Sequence, residues 1–356
     1  MTTLLAESAA TLAGTSETPE LAGGAMPPRG RRVEILEPLR GLAALAVAWF
    51  HFTNATGLLP EGWLRASGRY GWLGVEVFFV ISGFIIPYSL FNAGYRFPRH
   101  AGRFILKRIV RLDPPYIAAI LLTIALWYLS AAAPGYRGTV PQLEWLTLLL
   151  HLGYLNAFFG FPWVIPVLWT LAIEFQFYLL MAIVFPVAAS RSWAPRLATL
   201  VVFCGVPFFA SGEALVFRFL GLFALGIITF QRSIGRLSSR AYLGLLALAA
   251  STSYFAIGLQ MTLAGVLTAL LIAYVELPKF GPLTFLGAMS YSLYLLHVPV
   301  GGRAVNLGSR WAGETAWRLA VPFVALAISI VASYLLYRFV ERPARKWSAS
   351  LRYSPG

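Results

Sequence analysis

Eleven apolar stretches divide this 356-residue chain, near residues 39–59, 71–91, 105–130, 143–159, 163–187, 197–211, 214–230, 241–258, 261–277, 283–301 and 318–340. Most have the length, about 17–25 residues, at which a helix crosses the hydrocarbon core of a bilayer. A helix satisfies its own backbone hydrogen bonds, so it can stand in lipid without a partner strand. The chain is 58% hydrophobic and only 12% charged, whereas soluble domains carry about 25% charged residues. An all-α fold follows, that of a polytopic transmembrane helical protein.

The formal net charge of +14 does not require nucleic acid as a partner. Basic residues sit in the connections between apolar stretches, where the positive-inside rule places them. If all eleven stretches crossed, Arg232, Arg236 and Arg240 would fall outside, as would the basic end with Arg342, Arg345, Lys346 and Arg352. Suppose instead that 143–159 re-enters or lies at the surface. Arg29, Arg31, Arg32, the cluster from Arg96 to Arg111, Arg191, Arg196, Arg232 to Arg240, Lys279 and the C-terminal tail then share the cytoplasmic side. That stretch is also the weakest, with Gln142 and Glu144 at its start and His151 and Asn156 inside. We expect about ten spans plus one re-entrant or interfacial segment, in a bacterial inner membrane with both termini cytoplasmic. Residues 1–32 are expected to be a disordered cytoplasmic tail, 33–347 the membrane domain and 348–356 a short cytoplasmic tail. The single cysteine, Cys204, reads as packing; neither a disulfide nor a Cys/His metal-ligand spacing exists, so no metal is expected.

The stretch LRGLAALAVAWFHF, residues 39–52, carries Arg40 at its start and His51 near its end. Three helical turns take up about 11 residues, so the two share one face within about 20° and stand roughly 16 Å apart. Alone, Arg40 reads as a snorkelling anchor and His51 as a hydrogen-bonded core histidine. The next span, GWLGVEVFFVISGFIIPYSLF, holds Glu76, which inside a membrane must be paired or line a cavity. Its glycines and Ser82 allow close helix approach. In RFPRHAGRFILKRIVRLDPPY, Arg108 and Arg111 project together from a helix end, a forked pair suited to phosphate. In WVIPVLWTLAIEFQFYLLMAIVF, Thr170, Glu174 and Tyr178 share a face; Glu174 could handle a proton or pair with Arg218. FLGAMSYSLYLLHVP aligns Ser290, Tyr294 and His297, with Tyr291 alongside. Two histidines, two acids and three or more arginines on separate spans make a polar chamber open to a basic cytoplasmic mouth.

These segments together resemble the acyltransferase 3 family of integral membrane O-acyltransferases. The arginine and histidine separated by ten residues match Arg40 and His51, and FFxxSGF matches Phe78, Phe79, Ser82, Gly83 and Phe84. RxxR matches Arg108 and Arg111; W-[ST]-L-x-x-E-x-x-FY matches Trp169, Thr170, Leu171, Glu174, Phe177 and Tyr178. SYxLYLxH matches Ser290, Tyr291, Leu293, Tyr294, Leu295 and His297, and E-x-P matches Glu341 and Pro343. Asp113 departs from the pattern, standing where family members often carry an aromatic residue. With no esterase-like domain following, the chain resembles the stand-alone members without the extracytoplasmic SGNH domain.

The resemblance implies transfer of an acyl group, in most members acetyl from acetyl-CoA, to a hydroxyl of a carbohydrate or glycolipid acceptor. It implies Arg40 and His51 as essential, with Arg108 and Arg111 on the donor side. On this reading acyl-CoA is a co-substrate and no cofactor is tightly bound. Arg40, Arg108 and Arg111 hold the donor, while His51 deprotonates the acceptor or carries the acyl group transiently. Glu174 is expected to orient His51 or relay its proton. Glu76, Ser82, Tyr178, Ser290, Tyr291, Tyr294 and His297 are expected to line the substrate chamber. An extracytoplasmic partner protein could complete transfer. A proton-coupled transporter of a small polar or anionic substrate is the alternative, since it too would use intramembrane His, Glu and Arg.

Overall fold

The computed structural model describes residues 34–132, 140–210, 212–276, 281–310 and 315–353. The expected N-terminal tail, Lys279 and the last three residues of the C-terminal tail lie outside these. Among the described residues the elements are helices and connections without strands. The principal helices are α1 (Leu36–Thr53), α2 (Gly74–Asn92), α3 (Ala101–Ala131), α4 (Trp145–Leu152), α5 (Trp169–Ala188), α6 (Trp193–Gly205) and α7 (Leu220–Ser233). They continue with α8 (Ser239–Ile257), α9 (Leu259–Tyr274), α10 (Gly281–Ala288), α11 (Ser290–Leu296), α12 (Arg303–Ser309), α13 (Thr315–Leu336) and α14 (Arg342–Ser350).

Six helical segments are long and apolar enough to cross a membrane: Trp63–Asn92, Ala101–Ala131, Pro166–Ala188, Val216–Ser233, Ser239–Ile257 and Ala316–Ser350. The α10–α12 stretch makes a seventh if its 61° bend lies within one span. The shorter apolar helices Trp193–Phe208 and Leu259–Tyr274 stand apart from that set. So does α1, whose Glu37, Arg40 and His51 dilute its apolar character. The chain is thus a multi-pass integral membrane protein, and a count of ten requires these three helices as well. Helix α4 has eight residues, a rise of about 12 Å against a hydrocarbon core of about 30 Å. Gly153 and the turn Asn156–Phe159 follow it, and the Asn156 side-chain amide donates back to the Thr147 carbonyl of α4 at 3.2 Å.

Large apolar side chains such as Leu121, Ile183, Phe255 and Phe339 are exposed along the helices, as a lipid-facing surface requires. Trp63, Trp145 and Trp193 stand exposed at helix starts, the position of an interfacial aromatic belt. Inside, two glycine crossings set the spacing of the helices around the polar centre. A side chain on Gly83 of α2 would run into the Phe223 carbonyl of α7, and one on Gly226 into Val80 and Gly83. Gly41 of α1 and Gly287 of α10 meet in the same way, Gly287 lying against the Glu37 carbonyl. Small residues therefore bring α1, α2, α7 and α10 into backbone contact. The motif glycine in SGF is explained by packing alone.

The C-terminal segment is tied to the bundle. Lys107 of α3 donates to the carbonyls of Ser348 (2.9 Å) and Leu351 (2.6 Å), and Ser348 Oγ donates to the Lys107 carbonyl at 2.7 Å.

Candidate active site

Arg40 and His51 lie on α1 as expected, but they face two cavities rather than one. The first, about 250 Å³, is lined by Arg40, Arg108, Arg111, Ser82, Glu174 and Tyr178, among others. The second, about 560 Å³, is lined by His51, Trp72, Glu76, Tyr154, Glu213 and Arg218, among others. Val75 and Tyr294 border both. The cavities are stacked along the helices. On α1 the first takes Arg40 and the second Val47, Phe50 and His51. On α2 the first runs from Val75 to Ser89, while the second takes Val75 and Glu76 at the helix start. The separation of Arg40 and His51, eleven residues or about 16 Å of rise, matches this stacking.

The first cavity is a concentration of positive charge. Arg40, Arg108 and Arg111 are all half-buried in its wall, and Arg111 also feels Arg345 of α14. Arg108 lies over the rings of Phe104 and Tyr178, 5.2 and 5.4 Å from their centroids. Its Nε is buried without a hydrogen-bond partner. The acid on the same wall, Glu174, accepts from Ser82 Oγ at 2.6 Å and bonds to Tyr178. A site with three guanidinium groups and one occupied carboxylate suits a polyanion. Tyr291 closes the wall near Arg111 by donating to the Leu112 carbonyl at 3.0 Å. Asp113 does not face this cavity; it accepts from Tyr154 at 2.8 Å.

The second cavity holds His51. His51 Nδ1 lies 2.8 Å from the Val47 carbonyl. A carbonyl only accepts, so Nδ1 carries the proton and Nε2 is left with a free lone pair. Glu76 is buried at 3% exposure, and its Oε2 lacks a hydrogen-bond partner. Arg218 pairs with Glu213 at 3.3 Å and not with Glu174. Between the cavities, Tyr294 is held by Thr170 (2.7 Å) and the Val167 carbonyl (3.3 Å), with Phe78 edge-on at 5.9 Å.

The single chamber expected from the sequence is therefore divided. Glu174, expected to orient His51, lies in the arginine cavity with its own partners; the rings packed against His51 are those of His297, 4.9 Å away, and Phe50, 5.3 Å away. His297 and Ser290 are fully buried but line neither or only the first cavity, respectively. Sequence reasoning missed Arg345, which it assigned to topology. It also gave no role to Glu341, whose Oε2 accepts from the Ser292 amide (3.2 Å) and hydroxyl (2.6 Å). The E-x-P motif thereby braces the SYxLYLxH helix. The i, i+4 spacing of Glu341 and Arg345 was the available signal, and they approach to 3.9 Å.

The profile of a family described as an acyltransferase domain matches residues 34–338. A Komagataeibacter xylinus protein described as a membrane-bound transacylase, BcsY, is 29% identical over 88% of this chain and 83% of its own length. The O-acetyltransferase OatA of Staphylococcus aureus is 27% identical over 87% of this chain and 57% of its own. The peptidoglycan O-acetyltransferase OatA of Listeria monocytogenes is 23% identical over 88% of this chain and 56% of its own. The chain thus spans little more than half the length of the OatA proteins. No solved structure matches.

Proposed function

The chain belongs to the acyltransferase 3 family, and from that membership we propose that it moves an acyl group, acetyl in the first instance, from cytoplasmic acyl-CoA to a hydroxyl of a carbohydrate-containing acceptor. One observation carries this reading: a cationic cavity and a histidine cavity are stacked along the same helices and share Val75 and Tyr294. A polyanionic thioester donor fits the first and a neutral hydroxyl acceptor the second.

On this reading the CoA phosphates meet the forks of Arg108 and Arg111, and Arg40 guides the thioester end toward Tyr294. His51 Nε2 takes the acceptor hydroxyl proton as the oxygen attacks the acyl carbon. The C–S bond breaks, and the departing thiolate recovers a proton. Glu174, on the donor side, serves the thiol end. The stacked cavities also favour a two-step variant in which His51 carries the acyl group, since donor and acceptor enter separate spaces. Both termini are cytoplasmic in this arrangement, with ten spans. The acceptor of the Listeria relative makes a cell-envelope glycan the first to try, and an extracytoplasmic partner could receive the group before it.

The test supplies membranes bearing the parent or His51→Ala with radiolabelled acetyl-CoA and a cell-envelope glycan fraction. Alkali-labile label in carbohydrate, lost in His51→Ala at equal abundance, is the expected result. Absence of ester from the parent, or full transfer by His51→Ala, would overturn the reading. Label trapped on the parent protein without acceptor, and absent from His51→Ala, would select the two-step variant.

A further inference from the structure

Among the four histidines, His51 and His297 form a pair. Their rings stand 4.9 Å apart at an interplanar angle of 67°. His297 Nδ1 lies 2.7 Å from the Tyr294 carbonyl and 3.2 Å from that of Leu293. It therefore has the same tautomer as His51, with the proton on Nδ1 and a lone pair on Nε2. His297 is fully buried, borders neither cavity, and its Nε2 has no hydrogen-bond partner. A buried acceptor left unpaired is costly, and His151 shows the satisfied alternative. Its Nδ1 lies 2.6 Å from the Thr147 carbonyl and its Nε2 accepts from the Val164 amide at 3.1 Å.

Local structure holds the pair in place. His297 opens a π-helical turn, His297–Gly302, an irregularity frequent at functional sites. A side chain on Gly301 would collide with Phe52 and Ser329. The bare glycine thus lets α1 close on the turn one residue beyond His51. Ser329 Oγ is engaged with the Ala325 carbonyl at 2.7 Å, while Ser333, one turn along α13, has an unpartnered hydroxyl. The charged and titratable groups facing His51 across its cavity are Glu76 of α2, Tyr154, the Glu213–Arg218 pair and Tyr294 of α11.

We propose that His297 is a positioning residue for His51, its unused lone pair stabilising the imidazolium that His51 becomes during transfer. The inference rests on His51 acting as the base. The acceptor hydroxyl proton passes to His51 Nε2 while the C–O bond forms and the thioester C–S bond breaks. The proton then leaves His51 for the thiolate sulfur. Between these events a positive charge sits in a water-poor interior, where a neighbouring dipole acts more strongly than in water. A neutral imidazole supplies that dipole without adding a second charge.

The test measures kcat and KM for acetyl-CoA in His297→Phe, His297→Gln, His51→Ala and the double variant His51→Ala/His297→Phe, at matched abundance and monodispersity in detergent. His297→Phe should lower kcat on the order of 10–100-fold, less than the roughly 10²–10⁴-fold that an acid–base group itself contributes, and leave KM unaltered. His297→Gln, which keeps an acceptor oxygen, should recover part of kcat. In the His51→Ala background, His297→Phe should lower the residual rate no further, because the two act as a unit. Full kcat in His297→Phe, a Gln variant no better than Phe, or an undiminished fold-loss in the double variant would each overturn the proposal while leaving His51 as base intact. Full activity of His51→Ala would instead bring down the base assignment and this proposal with it.

Discussion

Arg108 and Arg111 are proposed to touch a part of the donor remote from the reacting bond, and this sets their kinetic signature. Losing one charge-assisted hydrogen bond costs about 1.5–3 kcal/mol, on the order of 10–100-fold in donor affinity. If that contact is equally strong in ground and transition states, alanine at either position raises KM for acyl-CoA and leaves kcat in place. Lysine should rescue only partly, because a point charge lacks the bidentate fork. Steady-state kinetics on purified variants checks this, and an unchanged KM would reduce both residues to topology anchors. The sequence pointed to this pair through its i, i+3 spacing, and to Thr170, Glu174 and Tyr178 through theirs; all five line the first cavity. It misplaced Glu174 relative to His51 because helix order does not say at what height two helices cross. Arg345 escaped notice because it lies more than two hundred residues from Arg111 in a segment that reads as tail.

At the scale of elements, the crossing of α2 and α7 governs how the cavities form, since α2 lines both. Gly83→Val would drive a branched side chain into the Phe223 backbone. Overpacking of this kind costs about 1–3 kcal/mol, so the variant should unfold at lower temperature in detergent and lose activity in proportion. Gly244→Ala on α8, where a side chain meets open space, is the matched control and should be neutral. Thermal unfolding of both proteins decides the matter; equal stability would show that the crossing tolerates a wider gap. Helix positions were readable from apolar length because a bilayer imposes one thickness on every span. The weakness of 143–159 as a span was readable from its polar residues, and the helix there has only eight residues. The π-helical turns at His297–Gly302 and Tyr337–Glu341 were not, since nothing in local composition separates a π turn from an α turn.

Across the whole molecule, the charge distribution predicts that both ends of the chain face the cytoplasm. Introduced as Ser350→Cys, a thiol beside the basic C-terminal segment should resist a membrane-impermeant maleimide in intact cells and react after permeabilisation. Labelling in intact cells would reverse the orientation and put the arginine cavity on the wrong side for acyl-CoA. The native thiol, Cys204, is buried, which keeps the background low. Val75 and Tyr294 gain a different significance at this scale. An enzyme whose two substrates arrive from opposite faces must admit both without becoming a leak. The two cavities meet at Val75 and Tyr294, and the Tyr294 hydroxyl is anchored there on Thr170 and the Val167 carbonyl. On the proposed function, this shared wall would also stand between the two aqueous sides, so the residues that part donor from acceptor would be the ones that keep an energised membrane from discharging through the catalyst.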